Sequence, residues 1–393
     1  MNPQDIFKEE VERLKRESLN WNPKTLETQS SNRATYNGKN VILLCSNNYL
    51  GLANNPKMIQ ASIDATKKYG VGSGAVRPIS GTMSLHLELE KRIAKFKETD
   101  AALVYQSGFA VNAGLIPAIL QEGWLAISDE LNHGSIIDGV RLSKAEKAVY
   151  KHCDMESLKE QLKTHSKNNY KAIMVITDGV FSMDGDIAPL DKIYEIASKY
   201  NAMIYVDDAH GDGVLGKNGK GATSHFNLHG KIDIEIGTFS KAFGTVGGYI
   251  CGSNELREYA LNKSRTWLLS GSHPPGVVAS CIASLDVIES DTSIVKKLWK
   301  NREFFIKGLK DLGFDTGFSQ TPIIPVMLKD SGLARTFSEK LFERGVYALP
   351  IVFPMVAKDK ARIRNQVSAA HSEKDLTEAL NAYEKVGKEL DVI

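Results

Sequence analysis

Residues 232–252, "IDIEIGTFSKAFGTVGGYICG", contain a single lysine between two apolar runs. The first run ends at Gly237, and the second begins at Tyr249. Lys241 lies between them among small residues, which is an unusual setting for an amine on a solvated surface. The stretch therefore predicts a lysine with a chemical role, in a loop that joins two buried strands.

The composition is that of an ordinary globular protein, with 42% apolar and 24% charged residues in a chain of 393. A formal net charge of +2 and the lack of a dense Lys/Arg block argue against nucleic acid as a partner. The four cysteines are far apart and form no C-x-x-C pair, which predicts a cytoplasmic location and no zinc site. The apolar runs are too short for a membrane span, and residues 1–20 lack the apolar centre of a signal peptide.

Strand-like and helix-like segments alternate between about residue 56 and residue 250. The strand-like segments include residues 101–106, 124–128, 172–177 and 202–208, and the helix-like segments include residues 85–96 and 190–200. Strands separated by helices predict an α/β fold, in which both faces of a mostly parallel sheet are covered.

The two ends of the chain have a different pattern. Residues 3–20 predict an amphipathic helix, and residues 41–45 predict a short strand. In the C-terminal part we predict helices over residues 276–312 and 331–344, strands at 323–328, 346–351 and 362–367, and a final helix with a capping box at Ser372. We therefore predict an N-terminal helix and arm (1–50), a large domain (51–285) and a smaller α+β domain (286–393).

Polar loops follow several of the predicted strands, at the edge of the sheet where functional groups gather in α/β proteins. Ser107, Gly108 and Phe109 begin a helix after a strand, and exposed N–H groups at such a point bind phosphate. The same residues are also expected where a serine only caps a helix and a glycine only forms a turn, so a phosphate site is one of two interpretations. His133 and Ser182 also follow strands, but each alone is typical of an ordinary surface or turn residue.

Asp207, Asp208 and His210 follow a continuous apolar strand, where ionisable groups need partners because burial is costly. A Walker B carboxylate is one alternative, but it requires a G-x-x-x-x-G-K-[ST] loop that the sequence lacks. A metal site is another alternative, although no third ligand has suitable spacing. Arg364, in a C-terminal strand, suits a carboxylate ligand.

Together these residues have the functional groups that a binding site for pyridoxal 5′-phosphate (PLP) requires. Lys241 would form the imine with the cofactor aldehyde, and Asp207 would pair with the protonated ring nitrogen. His210 and Ser182 would bind the phenolic oxygen, and His133 would lie over the ring face. The residues expected to hold the phosphate are Ser107, Gly108, Phe109 and Thr238.

The motifs, in this order, resemble those of the α-oxoamine synthases, which are fold type I PLP-dependent transferases. The resemblance extends from "SNNYLGL" (46–52) to "RIRNQVSAAH" (362–371) and includes "DELNHGSIIDGVRLSKA", "TDGVFSMDGD", "VDDAH" and "GTFSKAFG". It implies a large domain with a mostly parallel seven-stranded sheet and a smaller C-terminal α+β domain. It also implies a homodimer with active sites at the subunit interface, and acyl transfer from an acyl-CoA to an amino acid.

Within this family the motifs are most similar to those of glycine C-acetyltransferase, which implies that glycine and acetyl-CoA are the substrates, as in threonine breakdown. The alternative is 8-amino-7-oxononanoate synthase, which joins alanine to a pimeloyl thioester in biotin formation, or an enzyme that does both. The resemblance further implies that Arg364 binds the amino-acid carboxylate with Asn47 or Asn48. Ser270 and Gly271 would contact the phosphate of the partner subunit's cofactor.

Overall fold

The N-terminal part contains one exposed helix and a two-stranded ribbon. The computed structural model describes residues 3–17 and 19–393, and it places α1 at Pro3–Arg16, β1 at Arg33–Tyr36 and β2 at Lys39–Leu43. The helix predicted over residues 3–20 is therefore shorter, and position 18 lies outside the described residues. No residue of α1 is buried, and its apolar Ile6 and Phe7 are exposed.

Seven strands form the central sheet. They are β3 (Ala101–Tyr105), β4 (Trp124–Asp129), β5 (Glu146–Tyr150), β6 (Ala172–Asp178), β7 (Met203–Asp207), β8 (Ile234–Thr238) and β9 (Gly248–Gly252). Their order is β3-β9-β8-β7-β6-β4-β5. Only β9 runs against its neighbours β3 and β8, and the remaining neighbouring pairs are parallel. The predicted α/β fold with a mostly parallel seven-stranded sheet is confirmed.

Helices cover both faces of this sheet, as a parallel sheet requires. They are α2 (Pro56–Tyr69), α3 (Ser84–Lys97), α4 (Gly108–Ile119), α5 (Gly134–Leu142), α6 (Met155–His165), α7 (Leu190–Lys199), α8 (Ala222–His225), α9 (Asn254–Lys263), α10 (Arg265–Leu269) and α11 (Pro275–Ser290). One apolar layer contains residues of α3, α6, α7 and α11, and the opposite layer contains residues of α4, α5 and α10. Within the described ranges, no helix is long and apolar enough to cross a membrane.

The C-terminal part is a smaller α+β unit with its own apolar core. Its elements are α12 (Ser293–Asp311), β10 (Ile323–Lys329), α13 (Ser331–Glu343), β11 (Val346–Tyr347), β12 (Leu349–Ile351), β13 (Ala361–Gln366) and α14 (Glu373–Glu389). β13 is the central strand of a sheet with β10 and β12, and both pairings are antiparallel. The predicted capping box is present: Asp375 N–H donates to the Ser372 Oγ at 3.1 Å, and Ser372 N–H donates to the Asp375 carboxylate at 2.9 Å.

Two predicted C-terminal elements are divided in the structure. The helix predicted over residues 276–312 is broken between α11 and α12, where Asp291 has an extended backbone (φ −139°, ψ 95°) and its carboxylate accepts a hydrogen bond from the Ser293 N–H at 2.9 Å. The strand predicted at 346–351 forms β11, which pairs with β2, and β12, which pairs with β13. Ile42 and Leu44 of the N-terminal arm therefore pack in the C-terminal core. The domain limits at residues 50 and 285 stay a prediction.

Candidate active site

The predicted site residues from four strands converge at the carboxyl edge of the central sheet. Ser107 follows β3, Asp207 ends β7, and Thr238 ends β8. Lys241 follows Thr238 in a loop that returns to β9, and His133 lies in the loop after β4. The carboxyl ends of parallel strands meet at one edge, so residues far apart in sequence become neighbours.

The start of α4 and the end of β8 form a small polar cradle. Ser107 is the N-cap of α4, and its Oγ accepts a hydrogen bond from the Ala110 N–H at 3.1 Å. A Cβ at Gly108 would lie 3.5 Å from the Thr238 Cβ, and a Cβ at Gly248 would overlap the Ser107 backbone. Gly248 therefore lets β9 approach the Ser107 backbone beside the free N–H groups of α4, whereas the distance at Gly108 is an ordinary contact. Phe109, also predicted here, has an exposed side chain.

Asp207 is held by an asparagine that the sequence analysis missed. Asn112, in the middle of α4, is fully buried and donates from Nδ2 to Asp207 Oδ2 and to Ser135 Oγ, both at 2.8 Å. Its Oδ1 accepts the Tyr205 hydroxyl at 2.6 Å. Asp207 Oδ1 accepts the Ala209 N–H at 3.1 Å. The carboxylate is thus oriented by two donors at the bottom of the cleft.

His133 lies at the cleft wall as the N-cap of α5. Its backbone N–H donates to Asp178 Oδ2 at 2.7 Å, and its Nδ1 lies 2.6 Å from Ser135 Oγ. The other ring nitrogen, Nε2, makes no hydrogen bond to the residues that the structure describes. The ring is exposed to the open cleft, yet desolvation by the surrounding protein lowers the pKa of His133. Burial, together with the nearby Asp207, raises the pKa of Asp178 well above its ordinary value.

His210 follows β7, and Ser182 lies in the loop after β6, which is the neighbour of β7 in the sheet. The His210 Nδ1 and the Tyr49 hydroxyl are 2.8 Å apart, and burial lowers the pKa of His210 well below its ordinary value, so the imidazole is neutral. Tyr49 is a second residue that the sequence analysis missed. The Ser182 side chain is half-buried and makes no hydrogen bond to any residue that the structure describes.

The Lys241 amine has no hydrogen-bond or ion-pair partner among residues 3–17 and 19–393. Burial lowers the pKa of Lys241 to about 8, and the nearby Asp207 and Asp178 carboxylates partly offset that effect. A neutral amine is therefore available close to physiological pH, as a nucleophile or a proton acceptor requires.

A second buried amine explains the carboxylates next to Asp207. Lys97 Nζ lies 2.8 Å from Asp208 Oδ2, 2.7 Å from Asp212 Oδ1 and 3.3 Å from Glu235 Oε2. The Tyr249 hydroxyl donates to the other oxygen of Asp212. Asp208 is therefore neutralised inside the core, and it does not face the cleft as a metal ligand or Walker B carboxylate would. A Cβ at Gly237 would overlap the Asp212–Tyr249 pair, so this buried charge cluster lies directly behind the loop that carries Lys241.

Arg364 is a half-buried cation that no carboxylate neutralises within the described part of the chain. Its Nε is buried without a partner, and burial lowers the pKa of Arg364. Gln366, with its amide nitrogen on the Cys45 carbonyl at 2.8 Å, offers its oxygen to both terminal nitrogens of Arg364 at 2.9 and 3.0 Å. The Asn47 side chain contacts the Gln366 amide, whereas Asn48 is engaged by the backbone of Ala53 and Ser30. Asn47 is thus the asparagine next to Arg364.

Ser270 and Gly271 follow α10 and lie close to the start of α4 in the same chain. The Gly271 carbonyl accepts a hydrogen bond from Gln106 Nε2 at 2.6 Å, and Gln106 directly precedes Ser107. A Cβ at Gly271 would meet no atom within 4 Å, so this position does not require glycine for lack of space. The expected contact with a partner subunit's cofactor stays a prediction.

A family model for aminotransferases of class I and II matches residues 39–382. The chain belongs to this family. A protein named 8-amino-7-oxononanoate synthase from Thermoanaerobacter pseudethanolicus is 52% identical over 389 residues, which cover 99% of this chain and 98% of that protein. A structure of serine palmitoyltransferase from S. paucimobilis with a PLP–myriocin aldimine is 31% identical, has a TM-score of 0.94 and covers both chains completely.

A structure of 8-amino-7-oxononanoate synthase from Francisella tularensis is 27% identical, has a TM-score of 0.77 and covers 90% of this chain and 99% of that one. These relatives belong to the PLP-dependent α-oxoamine synthases, so the predicted family, fold type and cofactor are confirmed. The cleft also fits PLP physically. It contains an amine without a partner among the described residues, an oriented carboxylate and the N-terminus of α4, which Gly248 allows β9 to approach closely.

The expectation of glycine C-acetyltransferase activity and a role in threonine breakdown is wrong. Relatives that are 50–52% identical in sequence to this chain over almost its full length carry the name 8-amino-7-oxononanoate synthase. The motifs that suggested the glycine enzyme, "LNHGSIIDGVRL" and "TDGVFSMDGDIAPL", surround His133 and Ser182, which are predicted to bind the cofactor and not the acyl group.

Proposed function

We propose that this chain catalyses the PLP-dependent condensation of alanine with a pimeloyl thioester, the reaction for which 8-amino-7-oxononanoate synthases are named. The observation that supports this assignment is 52% identity over 99% of the chain with a protein of that name. The carbon count agrees with the product, since a three-carbon amino acid and a seven-carbon acyl group give a nine-carbon chain after loss of CO2.

Binding of the amino acid and of the cofactor phosphate would depend on polar and charged groups already present in the cleft. Arg364 would bind the alanine carboxylate through its unpartnered Nε and adjacent nitrogens, with Asn47 beside it. Ser107, Gly108, Phe109 and Thr238 would hold the cofactor phosphate. Ser270 and Gly271 would complete that site from a partner subunit.

Proton transfer would be the task of Lys241. PLP, when bound, supplies an electron-poor ring that stabilises negative charge on the amino-acid α-carbon. Asp207, oriented by Asn112, would hold the proton on the ring nitrogen. The Lys241 amine, with a pKa of about 8, would accept the α-proton and return one later. His133 would limit movement at the ring face, and His210 and Ser182 would donate hydrogen bonds to the ring oxygen.

A direct assay is to compare alanine plus pimeloyl-CoA with glycine plus acetyl-CoA in parallel. We expect faster CoA release with the first pair, a nine-carbon aminoketone by mass, and CO2 release from carboxyl-labelled alanine. Lys241→Ala is the control and should show none of these. Faster turnover of glycine and acetyl-CoA, or retention of the labelled carboxyl group, would contradict the proposal.

We also propose that the working unit is a homodimer that shares its active sites. Three exposed apolar side chains support it, because Phe109, Leu131 and Leu269 lie beside predicted site residues and would be covered by a partner. Mixing Lys241→Ala with Ser270→Asp subunits should restore roughly a quarter of the activity, since half of the random dimers would be heterodimers with one intact site. No restoration would argue against shared sites. The cytoplasmic location stays a prediction.

A further inference from the structure

The loop that carries Ser182 is built into the C-terminal part of the chain. We call residues 179–187, between β6 and α7, the Ser182 loop. The Gly185 carbonyl accepts hydrogen bonds from Thr321 Oγ1 at 2.9 Å and from the Gln320 N–H at 3.0 Å. Gly185 has φ +76°, and a Cβ there would overlap the Ile323 carbonyl. The loop therefore packs directly against the start of β10.

An ion pair joins the same loop to the strand that carries Arg364. Arg362 is only 4% exposed, and its Nη1 donates to Asp184 Oδ1, while its Nε donates to the Lys360 carbonyl at 3.0 Å. Arg362 and Arg364 are two residues apart on β13, so both lie on the same face of the strand. The two side chains are therefore about 6.6 Å apart along the strand.

A shift at position 362 is passed on to position 364, because β13 is hydrogen-bonded to β10 on one side and to β12 on the other. Arg362 is paired with Met327 and Ile351, and Arg364 is paired with Pro325 and Leu349. A strand with two hydrogen-bonded neighbours has little freedom to bend between adjacent positions. A contact that fixes position 362 relative to the Ser182 loop consequently also fixes position 364.

The Ser182 loop has a second, independent attachment to the central sheet. The His152 ring lies between two carboxylates, with Nε2 at 2.7 Å from Asp186 Oδ2 and Nδ1 at 3.0 Å from Asp129 Oδ1. Desolvation opposes the charge, but these two hydrogen bonds prevail and raise the pKa of His152 to about 12. The loop thus stays attached to the sheet when the Asp184 contact is removed, and the two contacts can be tested separately.

We propose that Arg362 and Asp184 are positioning residues for the amino-acid substrate. Their ion pair sets the distance between Arg364, which would bind the carboxylate, and the Ser182 loop. This inference rests on the proposed function, which assigns the substrate carboxylate to Arg364. A displaced Arg364 guanidinium would make a poorer contact with the carboxylate, so the pair would affect amino-acid binding without touching the substrate; a misplacement of about 1 Å can also lower a rate by about 100-fold.

The test compares PLP-loaded wild type with Arg362→Met, Asp184→Asn and the charge-reversed double variant Asp184→Arg/Arg362→Asp. Alanine affinity is measured from the change in cofactor absorbance on titration, and KM and kcat are measured separately. We expect both single variants to weaken alanine binding at least about tenfold, with unchanged PLP content. The charge-reversed variant should recover part of that loss, because Asp184 is half-buried and can accommodate a longer side chain.

Arg33→Met is the matched control, because it removes an ion pair between the N-terminal arm and α14 (Arg33 Nε to Asp375 Oδ1, 2.7 Å) that does not contact the Ser182 loop. It should lower the thermal midpoint without changing alanine affinity. Unchanged alanine affinity in Asp184→Asn, or no recovery in the reversed variant, would overturn the inference. Arg364→Leu separates the positioning role of the Arg362–Asp184 pair from the carboxylate-binding role of Arg364. If Arg364→Leu also leaves alanine affinity unchanged, the carboxylate assignment of the proposed function fails as well.

Discussion

Removal of the Lys97 amine should destabilise the protein in a way that depends on pH. Lys97 is 1% exposed and is the only cation within 3.3 Å of Asp208, Asp212 and Glu235 in the described part of the chain. Lys97→Met keeps the length of the side chain and removes its charge. Breaking a buried ion pair by removing one partner costs about 3–5 kcal/mol, because the remaining charges stay desolvated.

The pH dependence follows from the direction of the carboxylate pKa shifts. Burial, against the opposing effect of Lys97, already raises the pKa of Asp212 to about 7, and the variant should raise it further. A carboxyl whose folded pKa exceeds its unfolded value stabilises the fold below the unfolded pKa and loses that contribution as pH rises towards the folded one. The variant should therefore regain stability as pH falls from 8 to 6, by up to about 1.4 kcal/mol per pH unit for each proton bound.

Urea unfolding followed by intrinsic fluorescence at pH 6, 7 and 8 measures this effect. Lys91→Met is the matched control, since Lys91 is exposed on the same helix α3, and it should change the unfolding free energy by less than about 0.5 kcal/mol. A loss below about 1 kcal/mol for Lys97→Met, or a loss that grows as pH falls, would refute this description of the buried charge cluster.

Three further predictions concern single groups. Asn112→Leu removes the donor to Asp207 and leaves the buried Tyr205 hydroxyl without an acceptor, so we expect a stability loss of about 2–4 kcal/mol and faster loss of PLP on dialysis; equal PLP retention would count against it. Covalent capture of PLP by the apoprotein, followed by absorbance, should rise about tenfold per pH unit and level off above pH 8, because only the neutral Lys241 amine reacts; a flat profile would contradict the lowered pKa. Burial lowers the pKa of His371 to about 4, below its unfolded value, so stability should fall as pH decreases from about 6.5 towards 4; His371→Asn should flatten this dependence by about 1.4 kcal/mol per pH unit, and an unchanged slope would exclude His371 as its source.

Much of the fold and of the cofactor cleft could be predicted because both depend on local patterns. Six of the seven strands of the central sheet are almost fully buried and therefore appear in the sequence as short continuous apolar runs, whereas the edge strand β5 is mostly exposed, lacks such a run and was not predicted. Asp207 and Lys241 follow such runs directly, and the parallel arrangement brings them to one edge. The order of the motifs was sufficient to identify the family and the cofactor.

Other parts of the site depend on contacts that have no local pattern. Asn112 lies within an apolar helix, and its polarity was the only available sign that it has a buried partner. Tyr49 comes from the N-terminal arm and meets His210 only after the chain has folded. The partner of Asp184 is 178 residues away, and no spacing rule connects the two.

The acyl substrate was predicted wrongly for a related reason. The motifs surround predicted cofactor-binding residues, so they indicate the cofactor and not the acyl chain. Similarly, the chain breaks between α11 and α12 at the extended backbone of Asp291, within a sequence that is otherwise compatible with a continuous helix.

The most direct test of the account is to reduce the purified protein with borohydride, digest it and locate the cofactor by mass spectrometry. We expect one reduced pyridoxal phosphate per chain, attached to the peptide that contains Lys241, and none in Lys241→Ala. Attachment at another lysine, or an active protein whose Lys241 peptide remains unmodified, would contradict the central claim that this amine binds the cofactor.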